Sequence, residues 1–204
     1  MLSNTIIGVS GVAGSGKDTF YNLLSESMPC KRYALADELK TEVSKWCKFH
    51  YGINSINCSR EDKELIRNFL VFHACFKRKI TNGRYWIEKV QDKIIKDKFH
   101  GFKVITDIRY DEYKQDELNW LKEELGGIHV HVSQYSLIYD KDGKPIGKLF
   151  RKPVNEEEER NEEKLKNKSD FQIEWEFLKN GQISELYPHM DKFIRWLQKT
   201  KEAS

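Results

Sequence analysis

The sequence predicts an α/β protein: a three-layer sandwich whose five-stranded, mostly parallel sheet carries helices on both faces. Three observations support this. Five short apolar runs, rich in β-branched residues, recur along the chain, and segments with helical spacing separate them. Parallel strands buried on both faces read as such continuous runs. The first run passes through a glycine-rich turn directly into a helix-patterned stretch. No internal repeat and no Pro- or Ser-rich linker breaks the 204 residues, a length that suits one domain, 1–204.

Taken in order, TIIGVS (Thr5–Ser10) is the first strand, and KDTFYNLLSESM is a helix with Phe20, Leu23 and Leu24 on one side. KRYALA (Lys31–Ala36) is a second short strand. DELKTEVSKWCKFHYG follows as a helix, with Asp37 at its N-cap and Gly52 at its end. A capping box at Ser59 opens a third helix, and RYWIEKVQDKIIKDKF is a fourth. FKVITDIRY (Phe102–Tyr110) is the next buried strand. A helix through DELNWLKEEL, stopped by Gly126 and Gly127, leads to the strand IHVHVS. The segment SLIYDKDGKPIGKLFRKPV reads as a hairpin turning at Asp142-Gly143. NEEEERNEEKLKNK reads as a solvated helix with its Glu156–Glu159 run exposed, before a last strand DFQIEWEF and a last helix. The helical insertion, about 36–100, and the hairpin, about 134–153, hang from the rim of the sheet.

Charge and cysteine content narrow the function class. Thirty-five basic residues nearly cancel 32 acidic ones, leaving +3, without the one-sided excess of a nucleic-acid binder. Mean hydropathy is −0.71, and no run approaches the ~20 apolar residues of a membrane span. Cys30, Cys47, Cys58 and Cys75 show no zinc spacing and suit reduced thiols in the cytoplasm. No exposed apolar stripe stands out in the sequence, so monomer and homodimer both stay open.

The turn after the first strand, GVAGSGKDTF, fits G-x-x-x-x-G-K-[ST] from Gly11 to Lys17, then places Asp18 where a hydroxyl is expected. Gly11, Gly14 and Gly16 allow the backbone to approach phosphate closely, while Val12, Ala13 and Ser15 supply further amides. Lys17 adds a point charge for the β- and γ-phosphates. The expected ligand is therefore ATP with Mg²⁺ at this P-loop. Asp18 is either a ligand to Mg²⁺, directly or through water, or a cap for the helix start; Thr19 offers a hydroxyl to the α-phosphate region. The strand VITDIR ends with Asp107, in the position of a second carboxylate for the metal or its waters. Arg109 follows on the same face and suits a phosphate. Ligands of open α/β sheets bind beyond the carboxyl ends of the strands, so Lys17, Asp37, Asp107 and the hairpin should share one cleft.

GVAGSGKDTF, YALADELK, RYWIEKV and VITDIRYDEY, in this order, resemble the deoxynucleoside monophosphate kinases of tailed bacteriophages. KPVNEEEERN and SDFQIEW extend the resemblance over nearly the whole chain. It implies transfer of the ATP γ-phosphoryl to the 5′-phosphate of a (deoxy)nucleoside monophosphate, with the insertion binding the acceptor and the hairpin serving as a lid. By the resemblance, Asp18 is a family letter. Lys17, Asp18 and Thr19 hold donor phosphates and metal, and Asp37 and Lys40 face the acceptor. Arg67 binds phosphate, Trp86 packs against the acceptor base, and Asp107 and Arg109 lie between the substrates. Arg78 or Lys79 stands near a later basic position of the family, one residue out of register.

The stretch VFHACF departs from the family's Q-x-L-G-T-[ED], which leaves the accepted base and sugar open. From the residues themselves, Asp37 is equally an N-cap, Trp86 equally a core side chain, and Lys40 and Arg67 equally solvated surface. Arg151 is placed to close over phosphates after the hairpin. Two other functions fit the loop: a P-loop kinase for another small phosphorylated acceptor, such as a coenzyme precursor, and a nucleic-acid-dependent ATPase.

Overall fold

The computed structural model describes residues 5–178 and 181–202. In it, β1 (Ile6–Ser10), β2 (Cys30–Tyr33), β3 (Phe102–Ile105), β4 (Ile128–Tyr139) and β6 (Phe171–Glu176) form a parallel array, in the order β2-β3-β1-β4-β6. A sixth strand, β5 (Pro145–Phe150), pairs antiparallel with the second half of β4. The expected five strands and the hairpin are therefore one six-stranded mixed sheet. β4 runs on unbroken from core strand into hairpin arm. Tyr135 pairs with Phe150 on one edge and with Glu176 on the other, so β5 lies on the β1 side of β4, past the end of β1.

Alternation along the strands decides what each face buries. Ile7, Val9, Val104, Val130, Val132, Ile173 and Trp175 face one side. There they meet Phe20, Leu23 and Leu24 of α1 (Lys17–Ser27) and Met190, Phe193 and Leu197 of α7 (Tyr187–Glu202). The other face packs against α4 (Arg84–Lys96) through Ile87, Val90 and Ile94, and against a segment that is α-helical over Glu117–Asn119 (α5) and π-helical over Trp120–Glu124. That segment was expected to be an ordinary helix. Gly8 shows how closely it sits: a Cβ there would lie 2.2 Å from Leu121 Cδ2.

The insertion consists of α2 (Leu35–Tyr51), α3 (Arg60–Ile80) and α4. α2 and α3 share a smaller core of Val43, Cys47, Ile66 and Leu70. Ser59 caps α3 as expected, its hydroxyl accepting from Asp62 N–H at 3.0 Å. α2 starts three residues earlier than expected, with Ala34 at its N-cap, so Asp37 lies in its first turn. The four cysteines are all free thiols. No helix among the described residues is long and apolar enough to cross a membrane.

Candidate functional site

β1 ends at the glycine-rich loop, and three positive φ angles shape it: Gly11 at 134°, Gly14 at 75° and Gly16 at 99°. Gly16 is the N-cap of α1 and makes no side-chain cap bond. Asp18 therefore sits inside the first turn, where its charge suits the helix dipole. It is not a cap; its side chain is 79% exposed, and Arg32 Nε lies 3.5 Å away. Trp175 of β6 supports the loop from below, donating Nε1–H to Ser15 O at 2.9 Å. A Cβ on Gly16 would lie 2.6 Å from its ring. Ser15 Oγ is buried inside the loop and has no hydrogen-bond partner.

Lys17 curls back over this loop and donates from Nζ to Gly11 O at 2.5 Å and Val12 O at 2.8 Å. Burial, with Arg109 nearby, pulls its pKa down to about 8, against the opposing pull of Glu158 and Asp107. Near neutral pH it remains a cation.

A cleft of about 400 Å³ opens in front of the loop at the carboxyl ends of β1, β2 and β3. Ala13, Gly14, Lys17, Asp18, Asp37, Lys40, Arg67, Asp107 and Arg109 all line it, together with Arg32 and Lys63, which the sequence reading had passed over. Leu39 from α2 and Leu70, Val71 and Ala74 from α3 give it apolar lining as well. Gly11, Val12, Ser15, Gly16 and Thr19 shape the loop without lining the cleft.

Asp107 binds across the fold. Its Oδ1 accepts from Leu35 N–H and its Oδ2 from Ala36 N–H, both at 2.8 Å, so the end of β3 caps α2. The capping carboxylate comes from 72 residues beyond Leu35, and not from the local candidate, Asp37. Asp37 instead pairs with Arg32 at 2.5 Å and Lys40 at 3.4 Å. Part burial works against its charge, but these two cations hold its carboxyl below the ordinary range.

Arg109 lines the cleft without a carboxylate in ion-pair contact among the described residues. Desolvation works against its charge, yet its pKa lies above the ordinary arginine value, chiefly through Asp107. Glu117 is buried behind it and accepts from Arg109 N–H at 2.6 Å. Desolvation, reinforced by Asp116, raises the Glu117 pKa to about 8.

Other expected residues sit elsewhere. Arg78 is buried in an ion pair with Asp116 at 2.8 Å, its Cζ 3.3 Å from the centre of the Tyr110 ring. It reaches a side cavity of about 60 Å³ and not the main cleft. Trp86 is a core residue whose Nε1–H donates to Ala74 O at 3.2 Å; its edge borders the same side cavity. Arg151 lies over the loop, donating Nε–H to Ala13 O at 2.9 Å, and its guanidinium covers Gly14.

The hairpin strands stay outside the cleft. The segment that closes its rim is Val154–Glu158, at the start of α6 (Glu156–Asn167). The Glu156–Glu159 run is thus not wholly a solvated face. Glu158 accepts from Ala13 N–H at 3.3 Å, placing a carboxylate on a loop amide. Glu157 accepts from Tyr110 O–H at 2.7 Å and from the Cys75 thiol at 3.2 Å. Helical spacing alone carried no sign of this, because two adjacent glutamates on a charged helix look alike in sequence.

No group of three or more His, Cys, Asp or Glu side chains among the described residues is arranged to hold a metal. Asp107 spends one acceptor position of each oxygen on α2, keeps a second on each, and Asp18 is open to solvent. That fits an Mg²⁺ held mainly by phosphate oxygens and water, with one or two carboxylates beside it. No protein-family model matches this chain, and no curated protein does.

Proposed function

We propose that this chain is an ATP-dependent kinase that transfers a phosphoryl group to the 5′-phosphate of a (deoxy)nucleoside monophosphate, giving the diphosphate. The observation that carries the reading is the cleft itself. The glycine-rich loop with Lys17, five further cations (Arg32, Lys40, Lys63, Arg67 and Arg109) and apolar side chains of α2 and α3 all line one cleft. Such a combination of surfaces suits a triphosphate, a second phosphate and a flat apolar ring. The resemblance to phage deoxynucleoside monophosphate kinases points to the same chemistry.

In this reading the bond between the β–γ bridging oxygen and the γ-phosphorus breaks, while an acceptor phosphate oxygen forms a new bond to that phosphorus. The acceptor phosphate is already a nucleophile, so no side chain has to take a proton from it. The residues position and neutralise. Loop amides and Lys17 hold the donor phosphates, Arg109 meets the charge between the two substrates, and Lys40 and Arg67 hold the acceptor. Bound Mg²⁺ would supply charge neutralisation on the phosphates, with Asp18 and Asp107 beside it. Glu158 would have to yield its hold on Ala13 N–H as phosphate arrives, and the start of α6 would then exclude water.

The test is ADP formation with ATP-Mg²⁺ and a panel of deoxy- and ribonucleoside monophosphates, other phosphorylated acceptors, and DNA. Turnover that depends on a nucleoside monophosphate is expected. Turnover that ignores every acceptor and rises with DNA would overturn the proposal, and turnover with only a non-nucleotide acceptor would replace its substrate.

A further inference from the structure

The first turn of α6 holds the glycine-rich loop and the helical insertion through adjacent side chains. Glu158 touches the loop. Its Oε2 accepts from Ala13 N–H at 3.3 Å and from Val154 N–H at 3.1 Å. It also lies within electrostatic reach of Lys17 and Arg109. A carboxylate on a loop amide, near those two cations, is an anion standing where phosphate is expected. Glu157 touches the other side. It accepts from Tyr110 O–H at 2.7 Å and from the Cys75 thiol of α3, in the insertion, at 3.2 Å. Tyr110, Cys75 and both glutamates line the cleft.

The second half of α6 is anchored more firmly than its start. Asn161 is fully buried; it donates to Glu112 Oε1 at 3.0 Å and accepts from Asp111 N–H at 3.2 Å. Leu165 is buried one turn later, and Lys166 and Lys168 pair with Glu174 at 3.0 Å and Asp111 at 2.6 Å. Residues 156–159 bury no side chain. A helix start held by polar contacts, ahead of a packed second half, is the part that opens most easily. Glu157 and Glu158 are consecutive residues of one helical turn, so what displaces one displaces both.

In the reading above both substrates are anions. A triphosphate at the loop repels Glu158 and takes its amide. A monophosphate held by Lys40 and Arg67 brings its charge into the cleft that Glu157 lines. Each has to shift the same helix start, and whichever binds second finds it already shifted. A first ligand that removes such a cost from the second makes their binding cooperative. We infer that Glu157 and Glu158 are positioning residues that couple the two substrates: each, by displacing the start of α6, tightens the binding of the other. The inference rests on the two-substrate reading and adds a consequence to it. ATP alone meets a partly blocked loop, which spares it from hydrolysis when no acceptor is present.

Calorimetry on the full chain tests this, with Mg²⁺, an imido analogue of ATP that resists cleavage, and the deoxynucleoside monophosphate turned over fastest. In the wild type each ligand is expected to tighten the other by the same factor, at least about fivefold. Glu158→Ala should tighten the analogue on its own severalfold and abolish the mutual effect. Glu157→Ala should do the same for the monophosphate. Glu159→Ala removes an equal charge from the same turn but from outside the cleft, and should leave both affinities and their coupling as in the wild type. Independent binding in a wild type that turns over would overturn the coupling and leave the reaction standing. So would a coupling that survives both truncations, because the substrates would then sense each other without α6. A cleft that takes up no monophosphate would overturn the reaction and the coupling together.

Discussion

The sheet-side wall of the cleft and the wall built by α3 carry similar cations in different surroundings. Lys17 opens α1 just after β1, its Nζ held by two loop carbonyls, and Arg109 lies just past the end of β3. Lys63 and Arg67 stand on a helix with an exposed apolar flank, and Arg67 pairs with Glu64, one turn earlier, at 2.6 Å. The contrast sharpens for two arginines, Arg78 and Arg109. Arg78, on α3, is spent on structure, locked to Asp116 under the Tyr110 ring. Arg109, on the sheet side, sits beside Asp107 while its guanidinium lines the cleft. Residue type alone predicts the same role for both. The neighbours decide.

Several changes would break or sharpen that contrast. The largest effect on turnover is expected from Lys17→Ala, at least about a hundredfold in kcat with little change in melting temperature. A stable variant with wild-type turnover would remove the loop from the site. The two arginines should separate cleanly. Arg78→Ala leaves Asp116 charged and buried, and should cost about 3–5 kcal/mol in denaturant unfolding. Arg109→Ala should cost far less stability and much more activity. Equal stability losses would mean that Arg109 too is a structural cation.

Asp107→Ala removes the cap of α2 and should cost about 1–2 kcal/mol of stability besides any effect on turnover. Asp37→Ala, in the position that looks like a cap in sequence, should cost less. A titration gives a finer test. The Glu117 pKa rises from 4.5 to about 8 on folding, so between those values the folded protein keeps a proton that the unfolded chain has released. Stability should therefore fall as pH rises through that window, and Glu117→Gln should flatten the decline in melting temperature from pH 5 to pH 8. An identical slope in the variant would place the pH dependence elsewhere. The smallest effect expected is that of Glu158→Gln, which weakens a carboxylate's hold on Ala13 N–H and should tighten ATP binding severalfold in calorimetry.

Much of this was legible in the sequence, and the rest shows why some of it was not. Strands β1, β3, β4 and β6, the capping of α3 by Ser59 and the buried face of α1 follow from local pattern, and the structure has them. The convergence of Lys17, Asp37, Asp107 and Arg109 follows from topology, since all leave the same edge of a parallel sheet. What local pattern missed depends on distant partners. Asp107 caps a helix 72 residues away, Glu158 reaches a loop amide 145 residues away, and Trp175 supports that loop from the last strand. The exposed apolar side chains of α3, Leu65, Phe72, Phe76 and Ile80, were hidden for another reason: they interleave with Ile66 and Leu70, and only packing shows which of them α2 covers.

The central claim is that the cleft joins two nucleotides and moves a phosphoryl group between them. Phosphorus NMR of the wild-type protein with ATP-Mg²⁺ and a deoxynucleoside monophosphate tests it most directly. Two sets of diphosphate signals are expected to grow together, one from ADP and one from the acceptor, with no accumulation of inorganic phosphate. ADP growing alongside inorganic phosphate alone, with the monophosphate untouched, would contradict it.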